Sequence, residues 1–173
     1  MEQQKPKTGQ FALRFGALLG GISVTFALML YFMDMHYQGG MAVLAVSILI
    51  MLGTIIAALM AFKKANNGYM SLGEGLKIGV GVCLVGGIIG MIFNLILANV
   101  IDPEMSEKAL QMAEAQMVER GMSQEEIQAG IEMTKKFQAP WIQAAFGLIG
   151  SIFFGFVLSL IPALVMKKSE NNF

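Results

Sequence analysis

The chain has 173 residues, 55% of them hydrophobic and 14% charged, with a mean hydropathy of +0.64. It is too apolar for an ordinary soluble domain, in which about a quarter of residues carry charge. Twelve basic and twelve acidic side chains cancel, so no net field favours nucleic acid, and a single cysteine (Cys83) and histidine (His36) exclude an internal disulfide, a cysteine metal cluster and a His–His site.

The chain opens on a basic segment (Lys5, Lys7, Arg14) followed by an apolar stretch. That stretch is longer than the 7 to 15 residues typical of a signal-peptide core, and no small-x-small cleavage pattern follows it, so it reads as a retained first span. A bilayer core about 30 Å thick needs about 20 apolar helical residues. Four stretches meet that requirement, at residues 11–33, 41–62, 76–101 and 141–166. Each is expected to be helical, because hydrocarbon offers the backbone no other hydrogen-bond partner.

A short turn without Lys or Arg, running from Asp34 to Gly40, joins the first two spans. The second and third are joined by Lys63-Lys64-Ala65-Asn66-Asn67-Gly68-Tyr69, where Asn-Asn-Gly tolerates positive φ. Ser71 and Glu74 then have capping-box spacing, which starts the third helix.

Beyond the third span lies an insert, residues 102–139, that holds eight of the twelve acids. Asp102-Pro103-Glu104 reads as an N-cap with proline at the first helical position. That helix is expected to stop at Gly121, and Ser123 with Glu126 forms a second capping box, opening a helix that ends before Pro140. Met105, Ala109, Met112, Ala113 and Met117 recur at helical steps on the first insert helix, giving it an apolar face. The segment 103–138 is therefore expected to be an amphipathic helical hairpin whose methionine-rich face is covered by lipid, by the bundle or by a partner.

Orientation follows from the basic residues, which are retained in the cytoplasm when they flank spans. Lys5, Lys7, Arg14, Lys63, Lys64, Lys77, Lys167 and Lys168 all fall on one side, whereas Lys108, Arg120, Lys135 and Lys136 on the other are diluted by the acids of the insert. Both termini are expected to be cytoplasmic and the hairpin extra-cytoplasmic.

Small residues recur at every fourth position in two spans: Gly75, Gly79, Cys83 and Gly87 in the third, Gly147, Ser151, Gly155 and Ser159 in the fourth. Lipid tails are as apolar as leucine, so membrane helices associate by close backbone approach, and these stripes predict packing within one bundle, with homodimerisation as the alternative. Gly16 and Gly20 add to the first span, and Leu158 is expected to face lipid. Asn94 is strongly polar and deep in the third span, which suits an interhelical hydrogen bond better than a substrate path. Met33, Met35 and His36 form the one cluster with soft-metal character, against the plainer reading that a chain with 15 methionines places some together. No phosphate loop, zinc-helix signature or nucleophile elbow is present, and no ionisable residue lies deep in a span.

Two segments are more distinctive: Gly68-Tyr69-Met70-Ser71-Leu72-Gly73-Glu74-Gly75-Leu76-Lys77-Ile78-Gly79 and Ile101-Asp102-Pro103-Glu104. With four spans and an acidic insert they resemble the bacterial membrane family known as domain of unknown function 4199 (DUF4199). The resemblance implies a Gram-negative inner-membrane protein without assigned activity, and it supplies no catalytic residues. The resulting expectation is a single all-α membrane domain, 1–173, with four transmembrane helices and an extra-cytoplasmic hairpin. It is expected to be a structural or interaction component of the envelope, not an enzyme, with no catalytic, cofactor or metal residues assigned. Its partners would be the lipid bilayer and either a second copy or a larger membrane protein. A small transporter or pore subunit is the second reading, and an outer-face metal-handling protein the third.

Overall fold

The computed structural model describes residues 6–33, 35 and 40–168. Among these the protein is all-helical apart from one isolated β-bridge. Four long apolar helices form a bundle: α1 (Thr8–Phe32), α2 (Met41–Ala65), α3 (Leu72–Ile96) and α6 (Pro140–Met166). Two shorter ones, α4 (Met105–Glu119) and α5 (Gln124–Phe137), form a hairpin between α3 and α6. Helices α2 and α6 contain the expected stretches 41–62 and 141–166, α1 starts three residues before 11 and stops one short of 33, and α3 starts four residues before 76 but ends at Ile96, the last five residues of 76–101 forming a separate π-helical turn.

Helix α3 is the centre of the bundle, with α1 on one side and α6 on the other. Small residues make both contacts. A methyl group at Gly75 would meet Ala163, at Gly79 it would meet Ser159, and at Gly87 it would meet Ser151, while at Gly155 it would sit 2.8 Å from the Val80 Cα. The stripe on α3 therefore packs on the stripe of α6 within one chain. The α1 contact works the same way: Gly16 lies against Val85, Gly20 against Ile89, Gly81 against Ala12 and Gly86 against Leu19.

Packing is concentrated at the terminal end of the bundle, where α1 begins and α6 ends. The fully buried residues come from the first half of α3 (Ile78, Val82), the last halves of α2 (Ile55, Ala58, Leu59, Phe62) and α6 (Ser159, Ala163), and the connecting residue Met70. Phe11 of α1 meets Phe62 edge-to-face at 5.4 Å. The opposite half of α2 buries nothing. Leu158, expected to face lipid, is half-buried against this core.

The same end is fastened by the segment entering α3. Asn67 (φ 52°) and Gly68 (φ 85°) turn the chain through the left-handed region, which only glycine and asparagine enter readily. Met70 and Lys168 then exchange two backbone hydrogen bonds, of 3.1 and 2.9 Å. Lys168 Nζ lies 5.4 Å over the Tyr69 ring. Ser71 and Glu74 close the predicted capping box, the serine hydroxyl accepting from the Glu74 N–H and the carboxylate from the Ser71 N–H.

At the far end, α3 runs into a π-helical turn (Leu97–Ile101) that stops at Asp102. The sequence reading of Asp102 as an N-cap and Pro103 as the first helical residue is corrected here. Helix α4 begins at Met105, no side chain caps it, and Pro103 and Glu104 form the turn before it. Asp102 follows the π turn directly and is buried instead, its carboxylate paired with Lys108 of α4 at 3.2 Å.

Helix α4 ends as expected. Gly121 has φ 72°, its N–H donates to Val118, and the Met122 N–H donates to Met117, which together complete a Schellman motif. The second capping box, Ser123 with Glu126, is also formed.

Candidate functional site

The two stripes of small residues determine where α3 and α6 separate. Between Gly75 and Gly87 the helices touch at every small residue, but a methyl group at Gly90 or at Gly147 would meet nothing within 4 Å. The helices diverge there and leave a cavity of about 270 Å³, lined by Gly87, Gly90, Met91 and Asn94 of α3 and by Gln143 and Ser151 of α6 among others. At about 30 Å³ per water molecule this is far more than a packing defect.

Its polar groups have distinct states. Ser151 donates to the Gly147 carbonyl of its own helix at 2.7 Å. Gln143 Nε2 donates to the Gln138 carbonyl at 3.1 Å, which leaves its Oε1 as an acceptor. Asn94 is half-buried, and among the described residues its carboxamide has no hydrogen-bond partner. The interhelical hydrogen bond expected of Asn94 is thus absent, since the helix it would reach has moved away. Gln143 was not singled out from the sequence; a carboxamide one turn inside an apolar run that starts at Pro140 was the available signal.

Other hydroxyls in the long helices follow Ser151. Thr25, Ser47, Thr54 and Ser159 each donate to a carbonyl of the preceding turn. This satisfies them without a partner helix.

The hairpin is the second candidate surface. Its two helices pack on each other: Met117 covers Gly130, where a methyl group would fall 2.8 Å from the Met117 Cε. The half-buried residues of α4 include Met105, Ala109, Ala113 and Met117; those of α5 include Ile127, Gly130, Ile131 and Thr134. The methionine-rich face is therefore partly covered from within the hairpin. Neither helix buries a residue fully, and Met112, Val118 and Met133 remain exposed. The hairpin meets the bundle through Phe137, which stacks edge-to-face on Phe146 at 5.5 Å. Hydrogen bonds from the Ser123 backbone and hydroxyl hold the Glu126 carboxyl below its ordinary range.

Of the methionine and histidine cluster, Met33 and Met35 are exposed, and Asp34 and His36 lie outside the described residues. Among the described residues no three His, Cys, Asp or Glu side chains come together.

A family model described as "Protein of unknown function (DUF4199)" matches residues 14–168. The chain belongs to this family. No curated protein and no solved structure matches it. The two segments that resemble DUF4199 both have structural work in this member. Residues 68–79 turn the chain, bridge to Lys168, cap α3 and begin its small-residue stripe, and residues 101–104 end the π turn and bury Asp102.

Proposed function

We propose that this DUF4199 protein is a non-catalytic, multi-pass component of the bacterial inner membrane, with both termini in the cytoplasm, and that it serves the envelope as a structural or interaction subunit through its hairpin. The observation that carries this reading is the contrast between the two ends. Most of each small-residue stripe suited to oligomerisation is already used within the chain, whereas the hairpin, which meets the bundle at Phe137, keeps exposed apolar side chains on an acidic background. Four long apolar helices support the membrane setting. The basic residues Arg14, Lys63, Lys64, Lys77, Lys167 and Lys168 all sit at the terminal end, which supports a cytoplasmic assignment for it.

Two measurements test this. A reporter fused after residue 173 is expected to be active in the cytoplasm and one inserted near Gly121 on the far side; the reverse would overturn the orientation. A photo-crosslinker at Met112 is expected to capture one defined protein or a second copy in native membranes. Capture of lipid alone would refute an interaction role for the hairpin.

A transporter or pore subunit is the second reading, favoured by the unpartnered Asn94 amide in the α3–α6 cavity. Against it, Ser151 and Ser159 bond within their own helix and so do not present free hydroxyl donors to a lumen.

A further inference from the structure

The depth of the α3–α6 cavity and the order of its polar and apolar groups point to an occupant. Leu72–Ile101 comprises 30 residues. At 1.5 Å per residue this is about 45 Å, so a core about 30 Å thick, if centred, leaves about 7 Å outside at each end. Asn94 lies about 10 Å below Ile101 on that scale, hence about 3 Å inside the hydrocarbon boundary. Helix α6 has 27 residues, or about 40 Å, with an overhang of about 5 Å, and Gln143 lies about 5 Å from its start. Two carboxamides from different helices thus reach the same level, the boundary between headgroups and hydrocarbon. Beneath them the lining turns apolar or self-satisfied, through Met91, Gly90 and Gly147 down to Ser151, whose hydroxyl proton is held by its own helix.

We propose that this cavity is a binding site for one glycerophospholipid of the leaflet on the hairpin side. The Asn94 amide donates to an ester carbonyl, the Gln143 Oε1 accepts from a headgroup N–H or O–H, and one acyl chain occupies the gap that the diverging stripes leave between α3 and α6. A small polar solute would match the upper carboxamides but would leave the lower half of the cavity without complementary contacts. A lone hydrocarbon chain would fill the lower half and leave both carboxamides without a hydrogen-bonding contact from the occupant. An ester-linked lipid satisfies both. The inference rests on the reading of the long helices as membrane spans, and a chain that stays dispersed without detergent would overturn that reading itself.

The test uses the full chain, purified in a non-ionic detergent and titrated with phosphatidylethanolamine under native mass spectrometry. One tightly held phospholipid per chain is expected. An ether-linked analogue, which lacks the carbonyl acceptors, is expected to bind about three- to tenfold more weakly, the range of one net hydrogen bond. Asn94→Leu should abolish that ester-to-ether difference. Gly90→Leu, at a position where a Cβ would meet nothing within 4 Å, should extend its side chain into the gap and reduce retention of either lipid. Equal binding of the ester and ether lipids by the parent would overturn the proposal without recourse to any variant. So would a parent that retains no lipid, or a folded Gly90→Leu protein with undiminished retention.

Discussion

Gly155→Ala adds one methyl group, and the structure gives that methyl a definite neighbourhood. It would lie 2.8 Å from the Val80 Cα, 3.0 Å from the Cys83 Cβ and 3.2 Å from the Gly79 carbonyl oxygen. Two of the three are backbone atoms of α3 and cannot swing aside as a side-chain tip would, so the helices must separate. Overpacking of this kind costs about 1–3 kcal/mol, against which alanine offers a helix interior about 0.5–1 kcal/mol over glycine. The net expectation is a loss of about 1–2 kcal/mol, or a fall of about 2–8 °C in midpoint for a protein of this size. Gly147→Ala on the same helix face has nothing within 4 Å and keeps only the helix gain, so its midpoint should rise. The assay is thermal challenge in detergent, with the fraction remaining monodisperse read by size exclusion. The rate at which a thiol reagent reaches Cys83, 2% exposed in the parent, provides a second reading of the separation. A Gly155→Ala protein as stable as Gly147→Ala, with Cys83 equally shielded, would refute the close approach of α3 and α6.

Lys168→Pro removes the N–H that donates to the Met70 carbonyl, and Lys167, with ψ 135°, already has the conformation a following proline requires. A loss of about 1 kcal/mol beyond that of Lys168→Gln, which keeps the bridge and gives up only the contact with Tyr69, is expected in the same assay, and equal losses would refute the bridge. The Glu126 carboxyl is held below its ordinary range by the Ser123 backbone and hydroxyl, so its contribution to α5 is fully present above the unfolded pKa and is lost as pH falls through the lower, folded value. Its carboxyl ¹³C shift should titrate below that of a glutamate in an unstructured peptide, and a midpoint at or above that reference would refute the capping box in solution.

What was legible in the sequence is what local chemistry decides. The two capping boxes and the Gly121 stop each depend on groups within a few residues, and the stripes on α3 and α6 follow from strict four-residue spacing on an apolar helix. The four long helices follow from length and hydropathy. What was not legible depends on contacts between distant parts of the chain. The bridge from Met70 to Lys168 leaves no local signal, and the burial of Asp102 depends on a π turn that an apolar stretch does not announce. Asn94 stands out in the sequence as a polar residue in an apolar run, read there as an interhelical hydrogen-bonding residue. Its lack of a partner, and its place with Gln143 in the lining of one cavity, depend on where α6 diverges from α3. That divergence shows only in which glycines meet a neighbour, and spacing alone makes Gly147 and Gly155 look alike.

The uneven packing also bears on where the protein acts. At the terminal end the bridge, the cation–π contact, the capping box and the fully buried side chains all restrain the same few turns, so opening there requires several losses at once. At the hairpin end α2 buries nothing, α3 and α6 stand apart, and α4 and α5 hold together through half-buried contacts. Local opening draws on the least-contacted parts of a structure, and binding surfaces are drawn from the same parts. A membrane protein whose only task was to fill the bilayer would gain by continuing its small-residue stripe to both ends. Here the α6 stripe does continue in sequence to Gly147, yet the helices do not close on it. Closing them would remove the space in which the Asn94 carboxamide, without a hydrogen-bond partner among the described residues, can meet a partner from outside the chain. The polar residue and the open end therefore belong together, and a partner or ligand that satisfies Asn94 would bind where the bundle is least constrained.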